Sequence, residues 1–197
     1  MSVLHHAGAR AAAVLLLAVA AACPALAADT GAAAQKAQVC VACHGPAGVS
    51  ANPTAPSLAG QPAQFVATQL LMFREAKRKD PQMSPFAANL SNADINELAE
   101  YFAAQKLTLP AAGVSPDAET GARLARQLNC VQCHGPTLMG QQHIPRLAGQ
   151  QREYLKTQLR GFKAQTRFDM DGQMTSAAQP LSDPDIEALA NYMAGLR

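Results

Sequence analysis

The sequence predicts an all-α fold of two tandem helical domains related by an internal duplication. The composition is rich in alanine, contains no tryptophan and is only 5% aromatic, which favours helix over sheet. Apolar residues recur at helical spacing behind helix-capping signals. A set of short motifs occurs twice in the same order, which indicates a repeated structural unit. The chain is therefore expected to contain two copies of one helical domain.

The N-terminus has the features of a secretory signal peptide. Arg10 precedes an apolar run over residues 11–22, and the small residues Ala25 and Ala27 provide a cleavage signal. The run is shorter than the roughly 18 apolar residues that a membrane-spanning helix needs. We therefore expect residues 1–27 to be removed on export. The alternative is a lipoprotein anchored through an acylated Cys23.

The charge balance argues against a nucleic-acid partner. The full chain has 16 Lys and Arg against 14 Asp and Glu, and one of these cations, Arg10, belongs to the predicted signal peptide. A nearly neutral chain lacks the basic excess that is typical of nucleic-acid-binding proteins.

The repeated motifs set the expected domain boundaries. Residues 40–46 (CVACHGP) match residues 130–136 (CVQCHGP), and the Leu-Ala-Gly-Gln sequence of residues 58–61 returns at residues 147–150. Between the copies, residues 107–116 contain two prolines and a glycine, which is typical of a linker. The expected division is a signal peptide at 1–27, domain 1 at 28–106, a linker at 107–116 and domain 2 at 117–197.

Each half is predicted to form three helices separated by loops rich in proline and glycine. The first runs into the cysteine motif, from about Thr30 to Val39 and from about Asp117 to Leu128. The second begins near the glutamine of each Leu-Ala-Gly-Gln sequence. The third begins at a serine followed three residues later by an aspartate. The serine caps free amides, and the aspartate complements the helix dipole. The residues of this third pattern are Ser91, Asp94, Ile95, Leu98, Ala99 and Phe102, and Ser182, Asp185, Ile186, Leu189, Ala190 and Met193.

Each half also carries one Cys-x-x-Cys-His sequence, the attachment motif of c-type haem. Two thiols add across the porphyrin vinyl groups, and the adjacent histidine ligates the iron from the same side. A haem would also supply the large apolar group that a small domain with three short helices lacks. The motif therefore predicts two covalently bound haem c groups. The predicted residues are Cys40, Cys43 and His44 in domain 1 and Cys130, Cys133 and His134 in domain 2.

Other uses of paired cysteines fit the motif less well. A thioredoxin-like redox pair needs no histidine after the second cysteine, and the sequence shows no βαβ pattern around it. A zinc site would use all four cysteines but leave the paired histidines unexplained. A disulfide framework would compete for the same thiols. The duplication of the complete motif favours haem attachment.

Methionine is the expected sixth iron ligand, because its thioether stabilises ferrous iron and raises the redox potential. Met83 lies 39 residues after His44, and Met174 lies 40 residues after His134. This shared register makes Met83 and Met174 the predicted axial ligands. The remaining methionines of the mature chain have no counterpart in register and are expected to pack: Met72, Met139, Met170 and Met193.

Prolines lie at equivalent places in the two loops that follow the cysteine motifs. Pro56 and Pro145 each stand two residues before the repeated Leu-Ala-Gly, where a backbone carbonyl would accept the histidine Nδ1 proton. Stiffening of the loop is the alternative role. His143 has no partner in domain 1 and is expected at the surface.

Arg78 and Arg167 occupy equivalent places just before the two methionine loops. Three interpretations fit them: pairing with haem propionates, docking of a partner, and a solvated helix end. The nearby Arg74, Lys77 and Lys79 form a small basic cluster, which the outer face of the second helix also explains.

Taken together, these residues resemble the dihaem cytochrome c4 family, in which two class I cytochrome c domains are fused. The resemblance covers residues 30–197 and is carried by the two Cys-x-x-Cys-His motifs, the two Leu-Ala-Gly-Gln sequences and residues 83–86 (MSPF). The second half departs from this pattern, because Ser176 stands where Pro85 stands in the first half. The environment of the second haem is thus less well defined by the resemblance.

The resemblance implies a pseudo-twofold pair of domains with His/Met ligation at both irons. It also implies a periplasmic one-electron carrier, taking electrons from a quinol-oxidising complex to a membrane-bound oxidase or another acceptor. Its partners would be redox proteins, with loose membrane association and no small-molecule substrate. The alternatives are a cytochrome subunit of a larger periplasmic dehydrogenase and a dihaem peroxidase. Since no catalytic acid or base is evident beside an open iron, the chain itself is not expected to be an enzyme.

Overall fold

The computed structural model describes Met1, residues 30–108 and residues 117–197. The predicted signal peptide, Cys23 and residues 109–116 of the predicted linker lie outside the described residues. Every regular element in the described ranges is a helix, and the one β-bridge is an isolated pair between Gln141 and Ile144. The prediction of an all-α fold is confirmed.

Domain 1 contains four α-helices and one turn of 3-10 helix. These are α1 (Thr30–His44), the 3-10 turn (Pro46–Gly48), α2 (Ala63–Arg74), α3 (Met83–Ala87) and α4 (Asn92–Ala104). Domain 2 repeats the α-helices with the first one divided in two, and the described residues after its cysteine motif form no 3-10 turn. Its helices are α5 (Ala118–Gln127), α6 (Cys130–His134), α7 (Arg152–Lys163), α8 (Gln173–Ala178) and α9 (Asp183–Gly195).

The first helix exceeds its predicted bounds in domain 1 and matches them to within one residue in domain 2. In domain 1, α1 continues through the cysteine motif as far as His44 instead of ending near Val39. In domain 2, Asn129 adopts a left-handed conformation with φ of 58°, which ends α5 and starts a separate α6 at Cys130. Asparagine tolerates this conformation better than most residues, because its short polar side chain bonds locally. Both cysteine motifs are nevertheless helical.

Capping boxes begin α4 and α9, the helices predicted to start at Ser91 and Ser182. Ser91 accepts a hydrogen bond from the Asp94 N–H at 3.1 Å, and Asp94 accepts one from the Ser91 N–H at 3.0 Å. Ser182 and Asp185 repeat the pair at the start of α9. Each box satisfies amides that the first helical turn leaves without a partner.

The first helix of each half packs against the last one: α1 packs on α4, and α5 packs on α9. Helices α5 and α9 approach closely because Gly121 in α5 has no side chain. A Cβ at this position would lie 2.2 Å from the Ala188 carbonyl oxygen and 2.4 Å from the Tyr192 Cβ. Tyr192 therefore packs against the first helix of domain 2.

Each half buries its own apolar cluster. In domain 2, apolar residues of α7 and α9 meet around Leu138, and Cys130 and Met174 pack at the edge of this cluster. The core members of these two helices are Leu155, Leu159, Phe162, Ile186, Leu189, Ala190 and Met193. In domain 1, the corresponding cluster is built on Leu98 and Phe102, with Cys40 at its edge. A cysteine of the Cys-x-x-Cys-His motif therefore borders the core in both halves.

Candidate functional site

The two motif histidines are buried and hydrogen bonded in the same way. His44 ends α1, and its Nδ1 lies 2.8 Å from the carbonyl oxygen of Pro56. His134 ends α6, and its Nδ1 lies 2.8 Å from the carbonyl oxygen of Pro145. With Nδ1 donating to the carbonyl, Nε2 remains the ring atom available for iron.

Burial lowers the pKa of both histidines and outweighs the opposing effect of the proline carbonyls. His44 and His134 are therefore neutral at physiological pH, which is the form that binds a metal. The geometry is that expected of Pro56 and Pro145, while iron ligation by the histidines stays a prediction.

None of the four motif cysteines is paired in a disulfide. Cys40 and Cys130 are half-buried, whereas Cys43 and Cys133 are exposed. Burial raises the pKa of the Cys40 and Cys130 thiols. Thioredoxin-like redox pairs rely on a lowered cysteine pKa, so this environment does not favour that alternative.

The zinc alternative requires several ligands to converge. Within residues 30–108 and 117–197, no three or more His, Cys, Asp or Glu side chains are grouped as metal ligands. The thiols of the two motifs are thus placed at two separate sites, one in each half.

Met83 and Met174 each lie at the start of a short helix, and each is half-buried. An aspartate holds each methionine backbone. The Met83 N–H donates to Asp80 Oδ1 at 2.8 Å, and the Met174 N–H donates to Asp169 Oδ2 at 2.8 Å. The two loops share this anchor although Pro85 has no counterpart in domain 2. Axial ligation by the two methionines remains a prediction.

The other methionines lie where packing or solvent explains them. Met72 and Met193 are buried, whereas Met139 and Met170 are 50% and 73% exposed. His143 is exposed in the turn between Gln141 and Ile144, as expected. None of these residues repeats the arrangement around Met83 and Met174.

Two arginines meet between the halves. Arg78 stacks on Phe73 and Arg167 stacks on Phe162, each with its guanidinium carbon 4.5 Å from the ring centre. Arg78 also donates to the Tyr154 hydroxyl at 3.2 Å. Burial alone would raise the pKa of Tyr154, but the charges and hydrogen bonds of the two guanidinium groups together outweigh burial and lower it. The arginines therefore line the boundary between domains rather than solvated helix ends.

One glutamine from each half completes this arginine cluster. Arg78 donates to Gln69 at 2.6 Å and to Gln158 at 3.1 Å, and Arg167 donates to Gln158 and, at 3.5 Å, to Gln69. Neither arginine pairs with an acidic side chain in the described part of the chain. Burial lowers the pKa of Arg167 to about 10, and its Nε has no hydrogen-bond partner.

A third cation, Arg146, is buried beside Pro145. Its guanidinium donates to the carbonyl oxygens of Ala148 at 2.5 Å and of Ala59 at 2.7 Å, so it joins both halves. Its Nε also lacks a partner, and burial lowers its pKa to about 10. Buried cations with unused N–H groups fit an anionic group such as a haem propionate.

The residues present thus fit a haem in each half. A buried histidine ends a helix that carries the two motif cysteines. A methionine anchored by an aspartate lies at the start of a later short helix. Cations without acidic partners lie between the halves. The predictions from sequence do not include Asp80, Asp169 and Arg146. Asp80 precedes Met83 by three residues, a helix-capping spacing that could have revealed it. Arg146 has no signal of this kind, because its role depends on contacts with the other half.

Comparison with known proteins agrees with this arrangement. A family model described as cytochrome c matches residues 118–197, and a model described as subunit III of cbb3-type cytochrome c oxidase matches residues 26–102. Two cytochrome c domains, each with a Cys-x-x-Cys-His motif, define a dihaem c-type cytochrome that binds two haem c groups covalently.

Relatives over most of the length identify the family. Cytochrome c4 from Thiocapsa roseopersicina is 38% identical over 169 residues, covering 80% of this chain and 87% of that protein. A thiosulfate dehydrogenase electron acceptor from Thiomonas intermedia is 34% identical, covering 85% and 82%. The crystal structure of reduced cytochrome c4 from Pseudomonas stutzeri superposes with a TM-score of 0.80 at 34% identity, covering 87% of this chain and 100% of that one. The chain belongs to the cytochrome c4 family and is an electron-transfer protein rather than an enzyme.

None of the helices in the described ranges is long and apolar enough to cross a membrane.

Proposed function

We propose that the protein is a periplasmic carrier that moves one electron per haem between respiratory complexes. Cys40, Cys43, Cys130 and Cys133 form the thioether links. The axial ligands are His44 with Met83 and His134 with Met174. Pro56 and Pro145 orient the two histidines through their carbonyl oxygens. The observation that carries the proposal is the identical 2.8 Å contact from each buried histidine Nδ1 to a proline carbonyl.

Haem supplies the iron that alternates between the ferric and ferrous states. The protein's part is to keep the ligands in place during that change. Each histidine is fixed by burial and by its Nδ1 hydrogen bond, and each methionine is fixed by an aspartate at the start of its helix. Fixed ligands reduce the rearrangement that accompanies electron transfer, which suits a carrier better than a site that binds substrate.

An anaerobic redox titration of the purified holoprotein tests the carrier function. We expect two one-electron steps, low-spin haem in both oxidation states and no turnover of peroxide. A high-spin haem with an open coordination position in either half would contradict the carrier function for that domain. Fractionation of cells that express the full chain should place the haem-loaded protein in the periplasm, with an N-terminus near Ala28.

The proposed electron donor is a quinol-oxidising complex, and the proposed acceptor is a membrane-bound terminal oxidase. A second candidate donor is a thiosulfate-oxidising dehydrogenase, because a relative of similar length is named as the electron acceptor of such an enzyme. Stopped-flow reduction by each purified donor separates the two. Fast reduction by the dehydrogenase and slow reduction by the quinol-oxidising complex would favour the second candidate.

A further inference from the structure

Two buried glutamines hold the backbone of the opposite domain. Gln150, in domain 2, accepts from the Ser57 N–H at 2.7 Å and donates to the Ser57 carbonyl oxygen at 2.9 Å. Gln61, in domain 1, accepts from the Arg146 N–H at 2.9 Å and donates to the Arg146 carbonyl oxygen at 2.9 Å. Ser57 and Arg146 are equivalent positions, so the two contacts are related by the duplication.

Each glutamine accepts from the N–H of a peptide group whose carbonyl oxygen contacts a motif histidine. The Ser57 N–H and the Pro56 carbonyl belong to one peptide group, and that carbonyl accepts from His44 Nδ1. A trans peptide group directs its N–H and its carbonyl to opposite sides, so one group can donate to the glutamine while it accepts from the histidine. A continuous hydrogen-bonded path therefore runs from His44 to Gln150.

An equivalent path runs from His134 in domain 2 to Gln61 in domain 1. His134 Nδ1 donates to the Pro145 carbonyl, and the N–H of that peptide group is the Arg146 N–H, which donates to Gln61 Oε1. In each case the histidine and the glutamine belong to different domains.

Burial gives these paths their strength. Gln61 and Gln150 are 3% and 4% exposed, Ser57 is fully buried, and Arg146 is 2% exposed. Hydrogen bonds in a region of low dielectric constant polarise one another, and each bond in a chain strengthens the next. Water competes little with such buried groups.

We infer that each glutamine tunes the iron ligand of the opposite domain: Gln150 acts on His44, and Gln61 acts on His134. This inference rests on the proposed function, since it takes the two histidines as the axial ligands. By accepting the amide N–H, the glutamine oxygen draws electron density toward the proline carbonyl. That carbonyl then accepts the histidine Nδ1 proton more strongly, and Nε2 becomes a better electron donor to iron. Electron donation favours ferric iron, so each glutamine lowers the potential of the haem in the other domain.

The test is Gln150→Met, which removes the amide acceptor while keeping an unbranched side chain of similar length. In the fully reduced holoprotein, the proton NMR signal of His44 Nδ1–H should move upfield, because its hydrogen bond weakens. The signal of His134 Nδ1–H should stay in place. The potential of the domain 1 haem should rise, with a smaller change in domain 2. In Gln61→Met, the His134 Nδ1–H signal should move upfield and the His44 signal should stay in place. The potential of the domain 2 haem should rise, with a smaller change in domain 1.

Gln151→Met is the matched control. Gln151 donates from its side chain to the Ser50 carbonyl of domain 1, so this variant also removes a contact between domains. It does not touch the amide that contacts His44 and should leave both Nδ1–H signals unchanged. Equal shifts in both domains, shifts confined to the domain that carries the mutation, or the same shifts in Gln151→Met would overturn the inference.

The wild-type spectrum separates this test from the proposed function. Two ring-current-shifted Nδ1–H signals from His44 and His134 establish both residues as axial ligands. If they are absent, the proposed ligation fails. If they are present and the crossed pattern is missing, only the role of the glutamines fails.

Discussion

Gly121 lies against Tyr192 where α5 crosses α9, so closely that a Cβ on the glycine would be 2.4 Å from the Tyr192 Cβ. Such a Cβ would also meet the Ala188 carbonyl oxygen at 2.2 Å, and a backbone atom cannot rotate away. This contact fixes the position of α5, the helix that precedes the second cysteine motif.

Gly121→Ala should therefore destabilise the holoprotein by about 1–3 kcal/mol, the usual effect of overpacking. The free energy of unfolding in guanidinium chloride measures it. Gly195→Ala is the control, because a Cβ at Gly195 in α9 meets nothing within 4 Å. Alanine there should be neutral or slightly stabilising. Equal stability of the Gly121→Ala variant and the wild type would show that the helices can separate at no cost.

The capping box of α9 should contribute to stability in a pH-dependent way. Hydrogen bonds from the Ser182 hydroxyl and backbone N–H lower the pKa of Asp185 below its usual range. A carboxylate whose pKa is lower in the folded protein stabilises the fold above its unfolded-state pKa, and the contribution is lost as pH falls through the folded-state value.

Ser182→Ala should cost about 1 kcal/mol at neutral pH, and the difference from wild type should shrink in acid. Urea unfolding at a series of pH values measures both effects. Ser176→Ala, at an exposed serine in α8, is the control and should lie within about 0.5 kcal/mol of wild type. A cost for Ser182→Ala that stays constant down to low pH would contradict the role of the carboxylate.

The buried charge of Arg146 should raise the potential of both haems. Its guanidinium bonds to Ala148 in domain 2 and to Ala59 in domain 1, each in a loop that follows a predicted haem-binding motif. A cation in a region of low dielectric constant favours the ferrous state, which carries one positive charge fewer.

Arg146→Met should lower both midpoint potentials, as measured by spectroelectrochemistry. Arg123→Met removes an exposed cation from α5, where solvent and salt screen the charge, and should change the potentials much less. Unchanged potentials in Arg146→Met, or equal changes in the two variants, would show that the buried charge is compensated.

The duplication made much of this architecture predictable. It supplied the two halves, the capping boxes at Ser91 and Ser182 and the histidine and methionine positions in register. The short helices at Met83 and Met174 escaped prediction, because five or six residues show no helical periodicity. The predicted end of the first helix of domain 2 near Leu128 matches α5. The separate helix α6 was not predicted, because the change of direction at Asn129 depends on a single backbone conformation, which composition does not specify.

Contacts between the halves were beyond the reach of sequence patterns. Gln61 was recognised as part of a repeated motif, but its partner Arg146 is 85 residues away. The same holds for Arg78, whose contacts with Tyr154 and Gln158 form only when the domains meet. Local rules of spacing describe neighbours on one helix or strand, and they contain no information about which surfaces of two domains face each other.

The central claim is that each half holds one haem between a motif histidine and the methionine in register with it. It is tested most directly by haem quantification and an optical spectrum on Met83→Ala, Met174→Ala and the control Met170→Ala. We expect two haems per chain in every variant, loss of one methionine-ligated low-spin signal in each of the first two, and a wild-type spectrum for the control, whose methionine is 73% exposed. Retention of both methionine-ligated signals in either Met83→Ala or Met174→Ala would contradict the assignment.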